Sequence, residues 1–513
     1  MPNSNTGSHE TWSMISEWVQ NCEKNHPQCA KFGKHQPNWY PTRLIDLGPA
    51  STSFRNPRLV ETSHAEVNGA YVTLSHCWGN NILLTLTTEN LEAFRSGIIY
   101  DTLPKTFRDA VLATRKLGLR YMWIDSLCIL QSGSDSKDDW QYESALMHKI
   151  YENAYCNIGA TAAENSHEGL FFDRNPEVID VSHVYFDWWA AGKKHRGEYI
   201  IVDPTILTRN FALAPLLQRG WVFQERLLAP RMLHFCSQEV VWECRTGTFC
   251  ETFREGLPLR FIDSRFMAIN PPIWTTTPKG LPKIKIQKVW HDVVKGYTRC
   301  RLTYEGDKLL ALSGIAQNFQ FYLDSDDEYL AGIWRKSLPD SLLWIAKGGP
   351  QRVQTYRAPS WSWASVEGHI SYDLEVHGEM SNLLTVLDSH VSTYTSNKTG
   401  QVIDGSITVF GYIVVKSYTP STQADSPVSY KIQGDFNPQE ERIMWYPDDG
   451  SEIVKKDMLC LPVRVTAFGQ LHGIVLARLD GSTLQYRRTG AFSARDFDLD
   501  LWVAGERERI VIV

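Results

Sequence analysis

Nothing in the sequence is long and apolar enough to cross a bilayer: no stretch of about 18 uninterrupted apolar residues occurs. The opening residues, MPNSNTGSHETWS, hold neither the basic nor the apolar region of a secretory signal. Positive charge is scarce too, since 52 Lys and Arg face 58 Asp and Glu for a net charge of -6. With no general attraction to phosphate backbones, nucleic acid is not an expected partner. Ten cysteines in 513 residues are too sparse for a disulfide scaffold. These absences read as a soluble cytoplasmic protein with reduced thiols. Several catalytic signatures are missing as well. There is no Gly-x-Ser-x-Gly elbow, Walker loop or His-Glu-x-x-His, and no Gly-x-Gly-x-x-Gly behind the first expected parallel strand.

What is present is an ordinary globular composition, 43% hydrophobic and 21% charged, which buries enough apolar surface to fold. At about 100 to 200 residues per domain the length implies more than one domain. The expected division is an N-terminal helical and loop segment over 1–66, an α/β core over 67–256, a linker and helical extension over 257–345, and a β-rich region over 346–513. The 18 tryptophans serve equally as core and as pocket lining.

From Ala70 to Ala162 the pattern alternates strand and helix, the signature of a parallel sheet with crossover helices. Tyr71 to Ser75 reads as the first strand. Thr102-Leu103-Pro104 reads as a cap, followed by helical spacing through Phe107, Ala110, Val111 and Thr114 up to Gly118. Leu119 to Ile124 is the second strand, Asp139 to Ala154 the second helix and Tyr155 to Ala160 the third strand. Another helical row joins Leu217, Trp221, Glu225 and Leu228, with strand-like segments from Met232 to Trp242. A further amphipathic helix is expected over His9 to Glu23, and a Pro- and Thr-rich connector over Pro258 to Lys283.

In an open parallel sheet, ligands bind beyond the carboxyl ends of the strands. That rule selects Ser75, His76, Cys77 and Trp78 after the first strand, Asp125, Ser126 and Cys128 after the second, and Thr161 after the third. The alternative is that Ser75 and Asp125 only cap loops. Glu143 falls on the apolar stripe of Trp140, Met147, Ile150 and Tyr151, and Glu225 lies between Trp221 and Leu228. A carboxylate on a buried face must be paired, hydrogen-bonded or protonated. Either it does acid/base work or it sits in a structural ion pair, such as Glu143 with Arg108 or Arg115. Cys77 beside His76 is a poor thiol dyad, because adjacent strand residues point to opposite faces. Cys22-x3-His26-x2-Cys29 offers three zinc ligands in eight residues, with a fourth missing. A packed helix end is the competing explanation.

Four blocks, 71–79 (YVTLSHCWG), 103–131 (LPKTFRDAVLATRKLGLRYMWIDSLCILQ), 139–160 (DWQYESALMHKIYENAYCNIGA) and 220–231 (GWVFQERLLAPR), resemble the fungal heterokaryon incompatibility (HET) domain. The resemblance implies a role in non-self recognition and programmed cell death, and a remote kinship with TIR domains. A TIR-like, flavodoxin-like parallel sheet is then the expected fold of the core. Some TIR domains cleave NAD, and on that analogy NAD is a substrate here, with no other cofactor called for. Glu143 first and Glu225 second are the expected catalytic carboxylates. Ser75, His76, Trp78, Asp125, Arg108 and Arg231 are the expected substrate contacts. TIR strand order alone would instead point to Glu164 or Glu168. The competing reading is a non-enzymatic signalling module that self-associates or meets a partner protein sensed by the C-terminal region, with Trp361 and Trp363 as either an aromatic contact surface or a buried seam.

Overall fold

The computed structural model describes residues 3–30, 39–49, 56–79, 84–179, 182–203, 205, 208–258, 283–374, 381–417, 430–432, 442–451, 457–479 and 485–513. The chain forms two compact units, Met1–Pro278 and Lys279–Val513.

In chain order the first unit contains α1 (His9–Asn25), α2 (Pro27–Ala30), β1 (Arg43–Asp46), β2 (Arg58–Glu61), β3 (Tyr71–Ser75), β4 (Leu86–Thr87), α3 (Leu91–Ser96), α4 (Lys105–Lys116), β5 (Tyr121–Ile124) and α5 (Asp125–Cys128). It continues with β6 (Leu130–Ser132), α6 (Ser136–Glu152), β7 (Cys156–Gly159), β8 (Ser182–Ala190), β9 (Lys193–Ile201), α7 (Gly220–Leu228), β10 (Arg231–Phe235), β11 (Val240–Cys244) and β12 (Gly247–Cys250). One eight-stranded sheet runs in the order β12-β11-β10-β7-β3-β5-β1-β2. Its four central strands, β10, β7, β3 and β5, are mutually parallel. Hairpins β11–β12 and β1–β2 close the two edges in antiparallel fashion. The sheet is therefore mixed, with a parallel centre.

Local signals account for the elements around the site. β3 is buried along its whole length, as a strand covered on both faces must be. α4 ends where Gly118 takes φ 76°, and the amides of Gly118 and Leu119 return to Arg115 and Thr114, a glycine-assisted helix stop. Its start differs from expectation. The Thr102 hydroxyl bonds the Ile99 carbonyl, and the early amide of Thr106 is satisfied by Ser166 from the loop after β7. Residues 1–66 are also more than helix and loop, because β1 and β2 complete the sheet edge. Four-residue strands such as RLID are too short to show a period of two. α1 is capped by the Ser8 hydroxyl and buries Trp12, Ile15, Trp18, Val19 and Cys22 on one face.

The second unit carries helices Lys283–Tyr297 and Leu310–Gln320, and beyond them is β-rich, with a ten-stranded sheet. Trp361 and Trp363 are fully buried there, so they form no exposed aromatic surface. Trp363 donates its indole N–H to the Gly332 carbonyl, and the Trp361 carbonyl accepts from Trp344. Most of the connector expected over Pro258 to Lys283 lies outside the described residues. Among the described residues, no helix is long and apolar enough to cross a membrane.

Candidate functional site

The four parallel strands, numbered along the chain as β3, β5, β7 and β10, take the spatial order 2-1-3-4. The switch in direction falls between β3 and β7, where crossovers leave to opposite sides and a crevice opens at the carboxyl ends. Ser75 ends β3 at this point and lies opposite Gly159, the last residue of β7. The Ser75 hydroxyl donates to the Glu225 carboxylate. Asn157, one turn of the pleat before Gly159, bonds the same hydroxyl through its amide at 2.9 Å. The Tyr151 hydroxyl, from the last turn of α6, faces the same carboxylate and favours its charged form.

Glu225 is only 6% exposed. Burial raises its carboxyl to about 7, and the hydrogen bond from Ser75 and the Arg219 charge only partly oppose that shift. Arg219, at the start of α7, donates to the His76 carbonyl. A glutamic acid poised near neutrality at a strand-end switch point has the protonation range that acid/base chemistry uses.

A second set adjoins the first. The Trp78 indole donates to Asp125 Oδ2 at 3.0 Å, and His76 Nδ1 lies 3.7 Å from Asp125 Oδ1. Burial lowers the His76 ring to about 4, so it is neutral at physiological pH. Among the described residues, buried His76 Nε2, Ser126 Oγ and Gln224 Oε1 have no hydrogen-bond partner. Unsatisfied buried polar atoms are rare in folded proteins and mark places where water or a ligand completes the bonding. Gly79 closes the segment at φ 72°, and a Cβ there would come within 2.5 Å of Asn165 Cβ, so only glycine fits the close turn.

The other residues singled out from the sequence distribute as follows. Glu143 is buried and its carboxyl is raised by burial, but it faces Thr42 and the Arg43 charge rather than Ser75. Its neighbouring cation is thus Arg43, held by Asp139 at 2.7 Å, and not Arg108 or Arg115. Arg115 instead donates to the Leu47 carbonyl. Arg108 lines a polar groove of about 660 Å³ with Lys105, Asn90, Thr87 and His167 at the start of α4. The neighbouring Phe107 packs edge-on against His76 at 5.0 Å. Arg231 does not join the cluster. It begins β10, at the amino end of the parallel strands, where it is fully buried and donates to Cys22 Sγ at 3.3 Å. Cys77 is pushed up to about 11 by burial, which disfavours the thiolate a nucleophile needs. Glu168 caps its own loop, accepting from the Glu164 amide and from Asn165.

Tyr151, Asn157 and Arg219 were not read from the sequence as site residues. Asn157 left a signal, a lone amide inside the apolar strand Cys156-Asn157-Ile158-Gly159. Tyr151 passed for an ordinary member of an apolar stripe, and Arg219 for a loop residue.

A cavity of about 630 Å³ in the second unit is lined by Trp290, Phe319, Trp334, Asp327 and Lys336. Burial raises the Asp327 carboxyl there, but Lys336 stands in the same lining and the Asp327 carboxylate already accepts from the Lys336 amide at 2.9 Å.

With this geometry in hand, one comparison bears on the site. Residues 71–225 match the family model described as Heterokaryon incompatibility protein (HET). The matched segment begins on the first residue of β3 and ends on Glu225, so it contains Ser75, His76, Trp78, Asp125, Tyr151, Asn157 and Arg219. Cys22, His26, Arg231 and Cys244 lie outside it. Neither a curated protein nor a solved structure matches the chain.

Proposed function

We propose that the protein acts in heterokaryon incompatibility as a cell-death effector, and that its strand-end site hydrolyses the N-glycosidic bond of NAD. The observation that carries this reading is Glu225, a buried carboxyl raised to about 7, bonded by Ser75 and faced by Tyr151 at the switch point of the parallel sheet. The strand order 2-1-3-4 supports kinship with flavodoxin-like, TIR-type folds, whose ligands bind at this crevice.

The chemistry follows from the charge on the leaving group. Nicotinamide departs from NAD as a neutral base, so no acid has to protonate it. The C1′–N bond breaks with its electrons going to the pyridine nitrogen, and positive charge collects on the ribose ring. Ionised Glu225 faces that charge in a dry site, where an electrostatic contact is far stronger than in water. Water then adds at C1′ and releases one proton, giving ADP-ribose and nicotinamide. The Ser75 and Tyr151 hydroxyls orient the carboxylate, the Trp78 ring offers a face for a base, and Lys105 and Arg108 supply cations for the diphosphate. Glu225, rather than Glu143, is the catalytic carboxylate in this scheme. The test is nicotinamide release from NAD by the purified full-length chain, followed by chromatography. Release that survives Glu225→Gln, or no release from the wild type, would sink the proposal.

A specific feature favours a second reading, an assembly module. The β8–β9 hairpin exposes Tyr185, Phe186, Trp188 and Trp189, the first and last at 62% and 71%, and aromatic rings on display mark interaction surfaces. Light scattering that finds the full chain monomeric at all concentrations would remove it.

A further inference from the structure

At the amino end of the same parallel strands, opposite the Glu225 cluster, four buried side chains converge. Cys22 closes α1, His26 caps it and Cys29 lies in α2. Cys244 ends β11, more than two hundred residues further on. One ligand atom from each lies within 4.8 Å of all the others. Cys22, Cys29 and Cys244 are at most 1% exposed, and His26 is 8% exposed.

The spacing has the dimensions of a coordination shell. A tetrahedral zinc with Zn–S of about 2.3 Å and Zn–N of about 2.0 to 2.1 Å places sulfur and nitrogen ligands about 3.5 Å apart. His26 Nδ1 stands 3.4 Å from Cys244 Sγ. The backbone is arranged for it: the His26 amide returns to the Cys22 carbonyl and the Cys29 amide to the His26 carbonyl, winding the three nearby ligands around one point. Phe249 stacks on the His26 ring at 6.0 Å and fixes its plane.

We infer that Cys22, His26, Cys29 and Cys244 bind one structural zinc ion through three thiolates and His26 Nδ1. Binding releases three thiol protons and leaves a shell with net charge of minus one. Arg231 answers that charge, since its Nε donates to Cys22 Sγ at 3.3 Å and its Nη2 to the Cys29 carbonyl at 2.8 Å. It lies directly across the β10–β11 ladder from Cys244. Three soft sulfurs and one imidazole select zinc over magnesium or calcium, and four protein ligands leave no open position for substrate. The ion's work is mechanical: it clamps α1 and α2 to the β11–β12 edge, a contact that otherwise rests on packing such as the His26 ring against Phe249 of β12.

The test is metal analysis of the full-length chain purified under reducing conditions without chelator. Roughly one zinc per chain is expected, falling at least tenfold in Cys244→Ser and unchanged in Cys300→Ser, whose half-buried thiol stands outside the cluster. If Cys244→Ser fails to fold, cobalt(II) exchanged into the wild-type chain should show thiolate charge-transfer and tetrahedral ligand-field bands. A wild-type chain that carries no zinc and gives no such bands overturns the assignment. So does a Cys244→Ser variant with full zinc, or a disulfide between any two of the three cysteines in the reduced preparation. None of these readings depends on NAD cleavage.

Discussion

Glu225 and Glu243 are both glutamates buried in the first unit, yet the fold treats them in opposite ways. Burial pushes Glu225 up to about 7. Burial pushes on Glu243 as well, but the Arg226 charge and the His234 hydrogen bond outweigh it and hold that carboxyl well below the usual range. Arg226 grips Glu243 with two bonds of 2.7 and 2.6 Å, and His234 Nε2 adds a third at 2.9 Å. His234 Nδ1 is itself satisfied by Thr161 at 2.9 Å, so every member of this network is bonded. The Glu225 cluster has hydroxyls in place of a guanidinium and orphaned atoms at its margin. Desolvation alone does not make a structural carboxylate or a reactive one; the presence of a bidentate cation decides.

The comparison breaks most sharply at Arg226. Arg226→Met strands the Glu243 charge inside the protein and is expected to cost about 3 to 5 kcal/mol of stability, read as a lowered denaturant midpoint. Glu225→Gln is expected to do the reverse. It should lower the rate of nicotinamide release about 10²- to 10³-fold while leaving the melting temperature equal to or above that of the wild type.

Titration sharpens the contrast further. Glu225 has its folded value raised from 4.5 to about 7, so its contribution is fully present below 4.5 and lost as pH rises through 7, a change of ~3 kcal/mol. Glu243 has the opposite sign, stabilising above its ordinary 4.5 and losing that contribution as pH falls towards its depressed value. Unfolding curves from pH 5 to 8 should show wild-type stability declining across this range and a flatter profile for Glu225→Gln. The rate of nicotinamide release should rise with pH to a plateau above about 7, because the ionised carboxylate is the working form. The smallest effect is expected at Glu143, whose Oε1 has no hydrogen-bond partner among the described residues. Glu143→Gln should change stability by less than about 1 kcal/mol and leave nicotinamide release nearly unaltered; a loss as large as that of Glu225→Gln would reverse the assignment of the two carboxylates.

Much of this was legible from residue order. The runs Tyr71 to Ser75, Leu119 to Ile124 and Tyr155 to Ala160 with helices between them announced a parallel sheet, because apolar β-branched runs and 3.6-residue periods record how each segment is buried, and the observed strands fall inside them. The rule that ligands sit beyond strand ends selected Ser75 and Asp125, and the apolar row of α7 selected Glu225. Periodicity had no way to rank Glu225 against Glu143, since both lie on buried helical rows. The ranking came from which polar groups each one meets.

What the sequence by itself determined is therefore local: the periods, the helix stops, the strand-end residues and three of four converging ligands. What only the tertiary structure decided is which distant groups meet. It placed Ser75 against a carboxylate 150 residues away, Arg231 at the opposite end of the sheet from Ser75, and Cys244 beside His26 across 218 residues. Those meetings depend on sheet order and strand direction, which are settled by how all the segments bury their apolar faces together, and no short window of sequence contains that information.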